Sequence, residues 1–184
     1  MFAMETIWDL YRKSGLDMYI GEEVTLTDHM LQSAYLAKEA QCSEAVVLAC
    51  FFHDVGHFLP DDKTGQRLGN MRHEHVGAKF LESSGISTEI CHMVSNHVAA
   101  KRYLCTKRPQ HLSDLSPASR ETLNYQGGNM NQKEVEVFES DMAFEDIINL
   151  RLFDERAKQP GAPKLTLDEM WDLTLKFHSS EQQC

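Results

Sequence analysis

The longest unbroken apolar run, Ala45-Val46-Val47-Leu48-Ala49-Cys50-Phe51-Phe52, reads as a buried helix and ends directly on His53-Asp54-Val55-Gly56-His57. Elsewhere apolar residues recur at helical rather than strand spacing. Ile7, Leu10 and Tyr11 predict a short amphipathic helix from about Ala3 to Lys13, before Gly15. Thr27 or Asp28 is the expected cap of a second helix, which carries Met30, Leu31, Ala34 and Tyr35 to about Ala40. Ser43 caps the buried helix, and a further helix from about Met71 to Ser84 is closed by Gly85. Ser87 starts a helix with Ile90, Met93 and Val94 on one side that reaches His97. Ser116-Pro117 and the capping-box pattern Asn131-Gln132-Lys133-Glu134 open two more. From about Met142, Phe144, Ile147, Ile148, Leu150 and Leu152 lead to Asp154, and Thr166 caps a last helix with Met170, Trp171 and Leu175. No stretch alternates for long, so the expectation is all-α: one compact helical bundle over 1–184, with no repeat and no linker.

Two stretches break the pattern. Leu16 to Glu23 contains a glycine and no sustained period, and it reads as a loop or lid carrying the polar residues Tyr19 and Glu22. Phe58 to Asn70, punctuated by Pro60, Gly65 and Gly69, reads as a loop over whatever His53-Asp54 builds.

Composition narrows the possibilities. A net charge of −10 argues against non-specific binding to nucleic acid or anionic membrane, so an anionic substrate needs a local cluster of cations. Five cysteines, odd in number and without a C-x-x-C pair, predict free thiols and a cytoplasmic location. The early residues mix Glu5, Asp9, Arg12 and Lys13 with apolar ones, so neither a signal peptide nor a membrane span is expected.

An imidazole and a carboxylate side by side at the edge of a core suit Fe, Mn, Zn or Mg. His29 lies upstream of that pair, and His73, His97 and Asp154 lie downstream, each in a helical stretch. One helix cannot surround an ion, so ligands on several helices are what a metal site requires. Asp54 has two oxygens and is placed to bridge two ions, with His29, His53 and Asp154 around one and His73 and His97 around the other. Such a mixture suits iron and leaves positions for water, dioxygen or a chelating substrate. His73 and His75 both lie near the start of their helix, and only one can face a given metal; His92 reads as a surface residue. His57 would share a face with His53 if that helix continued. Lys101 and Arg102 place two cations just beyond His97, and Arg151 shares a face with Asp154.

This arrangement resembles the HD-domain superfamily, most of whose members are metal-dependent phosphohydrolases. Tyr19-Ile20-Gly21-Glu22, His53-Asp54-Val55-Gly56-His57, His73-Glu74 with Val76-Gly77-Ala78, His97 through Leu104, and Leu123 through Gly128 resemble more closely its organophosphonate-degrading diiron oxygenases. These act on 2-amino-1-hydroxyethylphosphonate or its trimethylammonio analogue, and the likeness runs from about Leu10 to Gln159. The resemblance implies a mixed-valent Fe(II)/Fe(III) pair with dioxygen as co-substrate, cleavage of the carbon–phosphorus bond, and release of phosphate with glycine or glycine betaine. It implies His29, His53, Asp54 and Asp154 on one iron and Asp54, His73 and His97 on the other, selecting His73 over His75. It makes Tyr19 a ligand of the second iron in the resting enzyme, bonded by Glu22, both leaving when substrate enters. Lys101, Ser119, Thr122 and Arg151 match phosphonate-binding positions, and His57 matches a histidine beside the substrate. The chain departs from the amine-selective pattern around Pro60 to Arg72, which leaves the amine open: Phe58, Asp61 and Asp62 are available to wall a quaternary ammonium and equally a primary amine, with a lean toward the trimethylammonio substrate. No protein or nucleic-acid partner is implied. The alternative reading on the same bundle is a phosphohydrolase of nucleotides or phosphate esters, which would give Tyr19 and Glu22 no special purpose.

Overall fold

In the computed structural model, residues 2–14, 18–19, 22–59 and 72–181 are described. The expected loop over 60–70, with Asp61 and Asp62, lies outside them, as do Gly15, Gly21 and Cys184. The described residues form α1 (Phe2–Ser14), α2 (Leu26–Glu39), α3 (Glu44–Phe52), a 3-10 helix (Val55–Phe58), α4 (His73–Ser83), α5 (Thr88–Lys107), α6 (Pro109–Asp114), α7 (Pro117–Tyr125), α8 (Gln132–Glu139), α9 (Phe144–Arg156) and α10 (Leu167–Glu181). Apart from an isolated bridge between Met18 and Thr25 they contain no β-structure, so the fold is all-α. None of these helices is long and apolar enough to cross a membrane.

α3 is the hub. Ala45 through Phe52 are all buried, and the helix packs against α2, α5, α9 and α10. A helix apolar on every side belongs at the centre of a bundle, whereas the amphipathic helices around it turn one stripe inward. Its amino end is closed by Ser43, whose hydroxyl accepts from Val46 N–H. At its carboxyl end the last carbonyls, which have no partner within the helix, are taken by side chains. Tyr11 Oη donates to the Phe51 carbonyl at 2.9 Å, and His53 Nδ1 donates to that of Cys50 at 2.8 Å. Helix termination and orientation of the His53 ring are therefore the same event.

Four expectations shift. The cap of α2 is Thr25, not Thr27 or Asp28: its hydroxyl accepts from Asp28 N–H at 3.1 Å. The α-helix does not persist to His57; it stops at Phe52, and the 3-10 helix delivers His57 instead. α5 runs on through Lys107, so Lys101 stands one turn beyond His97 on the same helix. α6 was not expected; it buries no residue, so it leaves no apolar period to read.

Gly56 and Gly77 let the 3-10 helix and α4 touch. A Cβ on Gly56 would lie 2.0 Å from the His73 carbonyl oxygen, and one on Gly77 would lie 2.9 Å from Gly56 N. Gly85 serves the backbone in another way, since at φ +86° it ends α4 in the left-handed region, as its position in the sequence suggested.

Candidate metal centre and anion pocket

Six buried side chains converge from five places: His29 on α2, His53 and Asp54 after α3, His73 at the start of α4, His97 on α5 and Asp154 on α9. They fall into two sets. In the first, His29 Nε2 and His53 Nε2 are 3.1 Å apart. Asp54 Oδ2 is 3.6 Å from His29 and 3.4 Å from His53, and Asp154 Oδ1 is 3.2 and 3.7 Å from the same two atoms. In the second, His73 Nε2 and His97 Nε2 are 3.1 Å apart, and Asp54 Oδ1 lies 3.2 and 3.6 Å from them. The two oxygens of Asp54 thus face different sets.

Hydrogen bonding fixes which ring atoms face inward. A carbonyl oxygen only accepts, so His29 Nδ1 donates to Ala157, His53 Nδ1 to Cys50 and His97 Nδ1 to Val94, at 2.7 to 2.8 Å. In neutral imidazoles that leaves each Nε2 as a lone pair aimed into the cluster. Asp54 Oδ2 and Asp154 Oδ1 are also aimed there, buried and without a hydrogen-bond partner. Electron-rich atoms converging in this way repel unless positive charge lies among them. A proton can serve one pair; a metal ion serves all four atoms of the first set at once. Neighbouring donors about 2.1 Å from a metal stand about 3 Å apart in octahedral geometry, which is the scale of these separations. The residues therefore fit a pair of metal ions with mixed imidazole and carboxylate ligation. Electrostatics agree: burial works against an imidazolium at His53, yet Asp54, followed by Asp154, brings its pKa up to about 9. Burial likewise disfavours charge on Asp54, but His53 above all holds it well below the usual carboxylate range.

His75, two residues beyond His73 and so on the other side of α4, is 62% exposed, and His92 pairs at the surface with Asp141. His57 stacks on His73 with ring centres 4.1 Å apart, and its Nε2 is 3.9 Å from Asp54 Oδ1. Burial and the neighbouring His73 push it down to about 3, so it is a neutral imidazole. Tyr19 lies flat against His29 at 4.4 Å, and burial, then Asp54, pushes its phenol well above its ordinary value. Phe58 packs edge-on against Tyr11.

Buried cationic side chains adjoin the cluster. Lys101, buried on α5, donates from Nζ to Thr122 Oγ1 at 3.0 Å, and Thr122 Oγ1 in turn donates to the Ser119 carbonyl. Arg151, buried on α9, reaches Asp154 Oδ2 through Nη1 and Glu155 Oε1 through Nε, both at 2.7 Å. Its Nη2 is buried without a partner. His111 Nε2, 3.1 Å from Glu155 Oε1, extends this chain outward to α6. The carboxylate of Glu22, expected on Tyr19, is instead on Lys158 Nζ at 2.9 Å; only the Glu22 backbone N–H reaches the Tyr19 carbonyl. The reason is charge: Lys158 is largely buried and needs an anion. Lys158, Glu155 and His111 are the site residues that sequence reasoning missed. Tyr19, His57, Lys101, Ser119, Thr122 and Arg151 lie in or beside this one region, whereas Asp61 and Asp62 lie outside the described residues.

Comparison with known proteins gives a consistent picture. The family described as HD domain matches residues 26–139. An uncharacterized protein of Acanthamoeba polyphaga mimivirus is 37% identical over 179 residues, covering 96% of this chain and 82% of its own. The 1-hydroxy-2-(trimethylamino)ethylphosphonate dioxygenase (glycine-betaine-forming) of Leisingera caerulea is 38% identical over 162 residues, covering 85% and 80%. The hydroxymethylphosphonate dioxygenase of Gimesia maris is 31% identical over 182 residues, covering 97% and 86%.

Proposed function

The chain belongs to the HD-domain family, and on that premise we propose that it is a diiron dioxygenase cleaving the carbon–phosphorus bond of a 1-hydroxyphosphonate, 1-hydroxy-2-(trimethylamino)ethylphosphonate being the first to test. The observation that carries this reading is one carboxylate, Asp54, facing two separate imidazole sets, with buried Lys101 and Arg151 beside it. Two dioxygenases among the relatives, both named for phosphonates, support it, and the higher identity to the trimethylamino enzyme sets the order of testing.

When bound, an iron pair supplies redox chemistry toward dioxygen and Lewis acidity toward a substrate hydroxyl. His29, His53, Asp54 and Asp154 would hold one ion, and Asp54, His73 and His97 the other. The protein's own part is positioning. Arg151 Nη2, Lys101 Nζ, Ser119 and Thr122 hold the phosphonate, and the reacting carbon is thereby fixed beside the cluster. His57, kept neutral, accepts a hydrogen bond from the hydroxyl on that carbon. Tyr19 covers the His29 face and is displaced when substrate enters, while the packed helices exclude water.

Phosphate release should be measured from the trimethylamino, primary-amine and hydroxymethyl phosphonates, with and without dioxygen, alongside a panel of phosphate esters. Oxygen-dependent release from a hydroxyphosphonate is expected. Oxygen-independent release from an ester would make the protein a hydrolase instead.

Lys101 sets a pH dependence. Burial, then the neighbouring Arg151, lowers its pKa to about 7, and metal cations in the site would push it the same way. Above that value the free amine is neutral and must gain a proton to pair with the phosphonate. Affinity should therefore fall as pH rises from 7 to 9, approaching tenfold per unit from this group alone. Lys101→Arg, charged throughout, should flatten the profile; an unchanged slope would remove Lys101 from the anion pocket.

A further inference from the structure

Lys158 stands where three parts of the site meet. Its Nζ donates to Glu22 Oε1 at 2.9 Å and to Ser119 Oγ at 3.2 Å, and it lies 5.3 Å from the centre of the Tyr19 ring. We infer that Lys158 is a further phosphonate-binding residue, which exchanges the Glu22 carboxylate for the substrate's phosphonate and thereby unfastens the Tyr19 segment. This inference rests on the phosphonate reading above.

Position is the first argument. Lys158 meets Ser119 through Oγ, while Lys101 meets Thr122, whose hydroxyl donates to the Ser119 carbonyl. Two ammonium groups thus converge on one turn of α7. Their mutual repulsion is relieved by a dianion between them, and the Ser119 and Thr122 hydroxyls are placed to bond it.

Charge is the second. A phosphonate brings roughly one to two negative charges at neutral pH, and neighbouring cations favour the second. Arg151 already lies 2.7 Å from each of two carboxylates, Asp154 and Glu155, both carried on its own helix. Lys158 has a counter-charge of another kind: a single carboxylate 136 residues away in sequence, on the short segment between α1 and α2. The two side chains are 10% and 13% exposed, so the pair is shielded enough to matter yet still reaches solvent.

Connectivity is the third. Glu22 N–H donates to the Tyr19 carbonyl at 3.0 Å and Tyr19 N–H to that of Val24 at 2.9 Å, beside the Met18–Thr25 bridge. Glu22 and Tyr19 are therefore tied to each other through the backbone. A ligand that draws Lys158 away from Glu22 acts on Tyr19 as well, so that opening the site is coupled to recognising the anion.

The test is calorimetric titration of methylphosphonate, which lacks the reacting hydroxyl, into the iron-loaded protein under argon. Lys158→Ala should bind it about tenfold or more weakly, the loss of one charge-assisted contact. Glu22→Gln removes the competitor and leaves the lysine, so it should bind several-fold more tightly. Opposite signs are the signature. If Lys158 only fastened the segment, both variants would open it and both would bind more tightly, and the inference falls. Unchanged affinity in a folded Lys158→Ala, checked by its melting midpoint, also overturns it while leaving the phosphonate reading intact. Failure of the iron-loaded parent protein to bind methylphosphonate at all would overturn that reading, and this inference with it.

Discussion

Asp54→Ala is expected to abolish metal binding at both positions, the largest functional loss available from one side chain. Oδ2 of this residue faces His29 and His53 while Oδ1 faces His73 and His97, so truncation removes a ligand from each set and the link between them. It also removes the anionic charge that makes the cluster attract cations, leaving four imidazoles with Asp154 alone on one side. Metal content of the purified variant should fall from two ions per chain to a small fraction of one. Asp54→Asn tests charge apart from shape: it preserves the volume and one acceptor oxygen, and it should lose at least one ion. Removal of metal from the parent protein should lower its melting midpoint, because ligands that bind only the folded state stabilise it; two tightly held ions imply roughly 10 °C or more in a chain of this size. The same chelator treatment should leave the melting of Asp54→Ala unmoved. Two ions retained per chain would refute the shared-carboxylate assignment.

The elements were legible from sequence where their signals are local. Ser43, Ser87, Ser116-Pro117 and the Asn131–Glu134 box each cap the helix that their position announced. The α2 cap slipped because Thr25, Thr27 and Asp28 all have suitable side chains within one turn, and it is the Thr25 hydroxyl that accepts from Asp28 N–H. α6 escaped because an exposed helix leaves no apolar stripe. Among the chemistry-bearing residues, histidines and aspartates can be seen in a sequence because their types are rare in apolar helices. Their grouping into two sets cannot, since it depends on how α2, α4, α5 and α9 approach the end of α3. Lys158 was invisible for the same reason in stronger form: it follows α9 just before Pro160 and Gly161, where a lysine reads as solvated, and only the fold brings Glu22 and Ser119 to it. Glu155 and His111 are similar, with meaning only through Arg151.

Gly56→Ala should be among the most destabilising single methyl additions in the protein, and it should unseat the second metal set. The added Cβ would meet the His73 carbonyl oxygen at 2.0 Å, its carbonyl carbon at 2.7 Å and its Cα at 2.8 Å. These are backbone atoms at the first residue of α4, so no rotamer change relieves the contact; the 3-10 helix and α4 must separate. Gly77, whose own Cβ would sit 2.9 Å from Gly56 N, shows how closely the two backbones already meet. Overpacking of this kind costs about 3 kcal/mol or more, or about 10 °C of melting midpoint at this chain length. Displacement of α4 carries His73 with it, away from Asp54 Oδ1 and His97, whereas His29, His53 and Asp154 are held by α2, the end of α3 and α9. The variant should consequently keep the first ion and lose the second. Gly85→Ala is the control: nothing lies within 4 Å of its would-be Cβ, and the strain comes only from φ +86°, so about 1 to 2 kcal/mol should be lost with both ions retained. A Gly56→Ala protein that melts like the parent and holds both ions would show that the His73 backbone can yield, and that the glycine contact does not set the geometry of the second site.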